Sequence, residues 1–298
     1  MNITLSPTTN TTHIDHKKIN ATSKEIKTFY DEATEDYTFW SQDFNMHFGY
    51  FSFGKTNLFL RDTMLNEMNS QVLKRLELSS SKQLVADLGC GMGGTMRHFL
   101  HRHSLLCMIG VTLSDFQVAE GNKLLKKYPA VIVKEDFRNT SIETNSVDGA
   151  IAIESFCHTG HNIKTLKEAH RILKPSKRLI IGDAFLKKSP DQLCFGSSYS
   201  YKKLCEKWSL EGLGVIQEVE ENLKKIGFSK VSVEDISPRV APSVFHVPFA
   251  IPLFLLKKIL KREPIKKQSW DNLKASFYAL TSGLHMKDFG YYLITAEK

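Results

Sequence analysis

The chain has 298 residues, 42% of them hydrophobic and 24% charged, enough for one substantial core, as one large domain or one with an appendage. Its longest apolar run, around residues 246–256, is well short of the ~20 residues a membrane-spanning helix needs, so no span is expected. Five cysteines without a C-x-x-C pair argue for a reduced, cytosolic protein without structural zinc, while a net charge of +8 leaves nucleic acid, a membrane surface or an anionic substrate open as partners.

The first 22 residues are polar and rich in Thr and Asn, too poor in apolar surface to offset their ordering entropy, and read as a disordered tail without the apolar stretch of a signal peptide. Residues 23–82 then read as an N-terminal helical lid. "SKEIKTFYDEATEDY" carries Ile26, Phe29, Tyr30, Ala33 and Tyr37 at helical spacing behind a capping Ser23. A second amphipathic helix is expected from about Met64 to Leu76, and between the two lies an aromatic loop, "FNMHFGYFSFG".

From Gln83 short apolar runs alternate with segments of helical period. "QLVADLG", "LLCMIGVT", "AVIVKED", "VDGAIAIES" and "RLIIGDA" have the character of buried parallel strands, and the alternation calls for an open doubly wound sheet over residues 83–237. "KVSVEDIS" and "FGYYLITAE", the latter over 289–298, read as two late strands. Residues 238–288 between them are too long for a plain loop and are expected to form a helical insertion. Within it, 248–262 set Leu255, Leu256, Ile259 and Leu260 against Lys257, Lys258, Lys261 and Arg262, which fits a lid over an acceptor, an interfacial helix or an ordinary surface helix. Residues 241–298 hold a surplus of five positive charges, so an anionic partner should meet that end.

The turn after the first strand is "DLGCGMGG", residues 87–94. Its glycines fit two cofactor loops, the dinucleotide pattern G-x-G-x-x-G and the D-x-G-x-G pattern for S-adenosylmethionine. A dinucleotide site normally adds a carboxylate at the end of the second strand for the ribose. Here that region reads "GVTLSDFQ", with no acid before Asp115. Asp87, inside the first strand, would repel a pyrophosphate but not a cationic methionine moiety.

The order "DLGCGMGG", "GVTLSDFQ", "EDF", "VDGAIAIESFCH" and "HRILKPSKRLIIGDA" resembles the class I S-adenosylmethionine-dependent methyltransferases. "GVTLSDFQ" is similar to a narrower branch of tocopherol, sterol and isoprenoid-diphosphate C-methyltransferases and cyclopropane fatty acid synthases. The resemblance implies a Rossmann-like seven-stranded α/β sheet with S-adenosylmethionine as cofactor. Gly89, Gly91 and Gly93 would pack under its methionine and ribose, and Asp87 would support the loop or the amino group. Thr112 with Gln117 would replace the ribose-binding acid, and Asp136 with Phe137 would hold the adenine. Tyr30 and Glu154 complete the expected cofactor set. The cysteine-bearing segment of cyclopropane synthases is replaced here by Phe48-Gly49, which argues against cyclopropanation.

On the acceptor side, Tyr30, Tyr37, His47, Phe48 and Tyr50 are expected to line an apolar pocket. Glu154, at the carboxyl edge of the fourth strand, is the expected proton acceptor, with His158 and His47 as alternatives. A carboxylate there could instead bond only the cofactor's amino group or a helix N-terminus. No metal is expected. The resulting reading is methylation of a hydrophobic small molecule, isoprenoid or lipid-like, at carbon, with nitrogen or oxygen as alternatives. Nucleic acid is not expected: "ESFCH" lacks the prolines of base-modifying enzymes, and salt-dependent RNA binding would revive that reading. A nicotinamide oxidoreductase and a membrane-binding protein without catalysis are the remaining rivals. The expected location is the cytoplasm with peripheral membrane contact through 248–262. Oligomeric state has no signal in the sequence.

Overall fold

A computed structural model of the chain describes residues 41–262, 264–265 and 267–298. The expected tail, the first helix, Tyr30 and Tyr37 lie outside them. Seven strands form one sheet in the order β3-β2-β1-β4-β5-β7-β6. They are β1 Gln83–Leu88, β2 Leu106–Thr112, β3 Ala130–Lys134, β4 Val147–Ile153, β5 Leu173–Leu186, β6 Lys230–Asp235 and β7 Phe289–Glu297. β1 to β5 are parallel, and β7 inserts antiparallel between β5 and β6. The strand order reverses beside β1, so the carboxyl ends of β1 and β4 splay apart and leave a crevice.

The helices are α1 Arg61–Leu76, α2 Gly94–Arg102, α3 Asp115–Leu125, α4 Ile163–Ile172, α5 Phe195–Trp208, α6 Ile216–Ile226, α7 Ser237–Val244, α8 Val247–Lys261 and α9 Lys267–Leu284. Local chemistry sets several boundaries. Ser114 accepts the Gln117 backbone N–H at the start of α3, and Asn162 accepts the N–H groups of Lys164 and Thr165 at the start of α4.

One face of the sheet buries Ala86, Leu88, Ala150, Leu179 and Ile181 under α4 and α6. The other buries Val85, Met108, Ile151 and Ile180 under α1 and α2. Helix α1 therefore belongs to the core rather than to the lid that the sequence reading made of residues 23–82. Met64, Leu65, Met68 and Val72 are fully buried on one stripe, the period that packs a helix onto a sheet. The part of that region that covers the crevice is the loop ahead of it, where the start of α2 meets the backbone of Asp43 and Phe44 so closely that a Cβ on Gly94 would lie 2.8 Å from the Asp43 carbonyl oxygen.

The insertion before the last strand is helical, as α7 to α9. Its attachment decides which helices form the cap. Helix α9 packs along α5, with Ala275, Leu204, Cys205 and Leu210 in a third apolar cluster. Helix α8 buries only Val247 and Phe254, and Leu256, Ile259 and Leu260 point outward. The cap is thus made by α7 and α9, with only the first turn of α8.

Candidate active site

The turn from β1 into α2 builds the first cavity. Gly89, Gly91 and Gly93 all have positive φ, at 100°, 53° and 72°, a backbone that L side chains adopt at a cost. Gly89 lies so close to the opposite strand end that a Cβ there would be 2.3 Å from that of Ser155. Around the turn the cavity is lined by Asp87, Gly89, Gly91 and Gly94 from β1 and α2, Thr112 and Gln117 from the end of β2, Asp136, Phe137 and Arg138 after β3, and Glu154 and His158 after β4. Gly93 does not line it. Its position faces Leu125 and Ile132, where α3 packs on β3.

Three of these polar groups already have partners. Thr112 donates its hydroxyl to Gln117 Oε1 at 2.6 Å, and among the described residues the Gln117 amide nitrogen meets only the Met46 sulfur, at 3.8 Å. Asp136 accepts the Arg138 backbone N–H at 2.9 Å and its guanidinium at 2.5 Å. Phe137 is nearly buried, its ring centroid 5.4 Å from that of Phe156. Asp87 differs from all of them. It is buried, its Oδ2 has no hydrogen-bond partner among the described residues, and burial pushes its carboxyl up to about 7.

A second, larger cavity adjoins the first, with about 1700 Å³ of empty space, solvent-connected volume included. Its walls are apolar: Leu204, Trp208 and Leu210 from α5 and the loop after it, Val240 and Val244 from α7, Ala279 and Leu280 from α9. Arg61, His158, Asp183 and Tyr291 line it together with Glu154, and Asn272, Ser276 and Ser282 add polar groups from α9. Asn45, Met46, His47, Glu154 and His158 line both cavities and so form the boundary between them.

Glu154 is held firmly at that boundary. Its backbone is left-handed, φ 48°, immediately beyond β4, and its N–H still donates to the Gly182 carbonyl at 2.8 Å. Its Oε1 accepts the Phe48 N–H at 2.6 Å and the Tyr291 hydroxyl at 2.8 Å, while Oε2 accepts no hydrogen bond among the described residues. Burial drives this carboxyl up to about 8, with the nearby Asp183 adding to the rise, against the opposing pull of Phe48, Tyr291 and Arg61. His47 is engaged on both ring nitrogens, 2.8 Å from the Phe48 carbonyl and 3.0 Å from Asn69 Oδ1, and burial lowers it to about 4. His158 is buried in a 3-10 turn, Phe156–Thr159. Burial lowers it, opposed by Asp183 and the Ser209 backbone.

Residues 86–181 match a methyltransferase domain model. The chain is 27% identical over 284 residues to the O-methyltransferase resE of Aspergillus sclerotiorum, covering 94% of this chain and 99% of that one. It is 27% identical over 228 residues to 24-methylenesterol C-methyltransferase 2 of Arabidopsis thaliana, covering 73% of this chain and 60% of that one. The fold matches the structure of geranyl diphosphate methyltransferase in complex with GPP and sinefungin at a TM-score of 0.70 and 15% identity, over 92% of this chain and 98% of that one. The chain is a class I S-adenosylmethionine-dependent methyltransferase.

The first cavity suits that cofactor on its own chemistry. The Asp87 Oδ2, without a hydrogen-bond partner among the described residues, is the acceptor a cationic amino group requires. The loop keeps backbone rather than side chains toward the cavity at Gly89 and Gly91. In this methyltransferase Asp87, Gly89, Gly91, Thr112, Gln117, Asp136, Phe137, Glu154, His47 and His158 come together around one crevice. Gly93 serves the α3 packing instead.

Residues absent from the sequence reading also belong to the site. Arg138 fixes Asp136 and was visible two positions along in "EDFR". Tyr291 and Asp183 had no local signal: Tyr291 pairs with Ala184 across the antiparallel β5–β7 ladder, which only the folded sheet brings beside Glu154. His161 takes the Gly214 N–H on Nδ1 at 3.1 Å, which leaves Nε2 to carry the proton, 3.2 Å from Asp183 Oδ2.

Proposed function

We propose that the enzyme methylates a hydrophobic small molecule of isoprenoid or lipid-like character, at carbon, with Glu154 as proton acceptor. The observation that carries this reading is the junction: one carboxylate lines both the glycine-loop cavity and an apolar cavity, with its Oε2 uncommitted. S-adenosylmethionine, when bound, supplies an electrophilic methyl group. The apolar walls hold the acceptor's carbon skeleton and exclude water, and such alignment is worth roughly 7–11 kcal/mol of barrier. As the new carbon–carbon bond forms, an alkene acceptor becomes cationic, and the carboxylates of Glu154 and Asp183 in the cavity lining stabilise that charge. Oε2 of Glu154 then takes the proton whose loss restores the double bond. The sterol C-methyltransferase relative supports methylation at carbon.

A second reading, O-methylation, draws support from the O-methyltransferase resE, which matches this chain along nearly its whole length. There Glu154 or His158 would take the hydroxyl proton. Incubation with methyl-labelled S-adenosylmethionine and a detergent-solubilised lipid extract, followed by mass spectrometry of labelled products, tests both. An apolar product carrying the label on carbon supports the first reading, and one carrying it on oxygen the second. Label appearing only in polar metabolites or RNA would overturn them. We further propose a cytoplasmic protein with peripheral membrane contact through residues 248–262.

Leu280→Asp puts a charge into the apolar cavity wall at a half-exposed position far from the glycine loop. The acceptor's KM is expected to rise at least ~10-fold, since burying an unpaired carboxylate against an apolar ligand is costly. Cofactor affinity by calorimetry should stay within about twofold, and a parallel loss of both would detach this cavity from acceptor binding.

A further inference from the structure

We propose that the loop 53–60 and the outer face of α8 form one docking surface for an anionic lipid bilayer, and that the acceptor cavity opens onto it, so that the acceptor enters from the lipid phase. The inference rests on the hydrophobic-acceptor reading above.

The surface is built from two elements far apart in sequence. Phe53 and Phe59 are each 89% exposed, and on α8 Phe249 is 73% and Leu260 74% exposed. His246 Nε2, at the start of α8, donates to the Leu58 carbonyl of the loop at 2.5 Å, and the segments leading into both are joined, the Phe51 N–H to the Arg239 carbonyl at 2.7 Å and the Gly49 N–H to Ser243 Oγ at 2.8 Å on α7. Large apolar side chains gathered on a single outer face mark an interaction site rather than ordinary surface.

Its charge selects the partner. Residues 53–60 and 247–262 contain no acidic side chain, while Lys55, Lys257, Lys261 and Arg262 are exposed among the apolar groups. Apolar side chains with a basic flank and no acid suit an anionic headgroup layer. Ser237–Lys261, 25 residues long and with an 18-residue window of mean hydropathy 1.5, is long and apolar enough by composition to cross a membrane. Its first part, however, is α7, which walls the acceptor cavity, and the 15 residues of α8 span only about 22 Å, less than the ~30 Å hydrocarbon core. The geometry therefore favours lying in the interface.

The cavity is continuous with this face. Phe245 at the foot of α8, Leu284 at the end of α9 and Met286 beyond it line the acceptor cavity and are also exposed to the outside. An acceptor dissolved in the bilayer can thus pass along apolar side chains into the cavity without crossing water.

The test uses the full chain and flotation with phosphatidylcholine vesicles, with and without phosphatidylglycerol. Binding is expected to require phosphatidylglycerol, to weaken with salt, and to fall about tenfold or more for Phe53→Ser with Phe59→Ser and, separately, for Phe249→Ser with Leu260→Ser. S-adenosylhomocysteine affinity by calorimetry should be unchanged in all variants, which controls for folding. Absence of binding, binding indifferent to both pairs, or a self-association abolished by the same substitutions without any vesicle binding would each overturn the proposal. Methyl transfer in detergent separates the two levels. Product in detergent with no vesicle binding removes the docking alone, whereas no product in detergent removes the acceptor reading beneath it.

Discussion

Glu154→Gln is expected to lower turnover by ~10²–10⁴-fold while leaving cofactor affinity within about twofold. The substitution preserves the shape that accepts the Phe48 N–H and the Tyr291 hydroxyl on Oε1 but removes the basicity of Oε2. Burial raises this carboxyl to about 8, so in the free enzyme the protonated form dominates at neutral pH and the proton-accepting form is gained as pH rises. The value of kcat/KM for the cofactor should therefore level off above 8, fall about tenfold per pH unit between 8 and 7, and fall more steeply below 7, where Asp87 also takes up its proton. With the cationic donor bound beside Glu154, the midpoint of the acceptor's profile should move below 8, because an adjacent positive charge favours the ionised carboxylate. Tyr291→Phe removes a donor that favours ionisation, so it should move both midpoints upward. Rate measurements across pH 6–9 on the two variants check this. A Glu154→Gln enzyme with near-normal turnover would transfer the role to His158, and loss of cofactor binding in that variant would make Glu154 a cofactor ligand only.

How much of this was legible in the sequence depends on range. The seven strands and their order of appearance could be read because most are short apolar runs and β6 alternates valine with polar residues, both properties of adjacent positions. The cofactor loop was legible for the same reason: Asp87, Gly89, Gly91, Thr112 and Gln117 belong to two contiguous strand-end motifs, and the sheet only has to set those ends side by side. The roles of individual glycines were not separable. Gly91 and Gly93 both have positive φ, but one faces the cavity and the other faces Leu125 and Ile132, a difference that depends on where α3 packs. The acceptor end was hardest, because Tyr291 reaches Glu154, 137 residues away in the chain, only through antiparallel pairing of the last strand with β5. For helix α8 the sequence left a lid, an interfacial helix and a surface helix open, because amphipathicity says only that one face seeks an apolar partner; the fold turns that face outward.

Gly91→Val is expected to abolish cofactor binding, weakening it by at least ~10²-fold. Two costs add. The backbone there has φ 53°, and a non-glycine residue held in that region pays ~1–2 kcal/mol, more when its side chain is β-branched. The branched carbons would also project into the cavity, where a Cβ already meets Met46 Sδ at 3.0 Å. Met46 is a flexible thioether and can yield to a single methyl, so Gly91→Ala should weaken binding less than valine does. Gly93→Ala provides the contrast. Its Cβ would press on Leu125 and Ile132 at 3.3 and 3.4 Å, inside the packing of α3 on β3 and away from the cavity. That substitution should lower thermal stability by about 1–2 kcal/mol, with the smaller change in cofactor affinity. Calorimetry with S-adenosylhomocysteine and thermal melts on the three variants decide the matter. If Gly93→Ala proved the more damaging to affinity, or Gly91→Val bound normally, the cofactor would not lie against the Gly91 backbone, and the alignment of Glu154 with the transferred methyl group would have to be reconsidered.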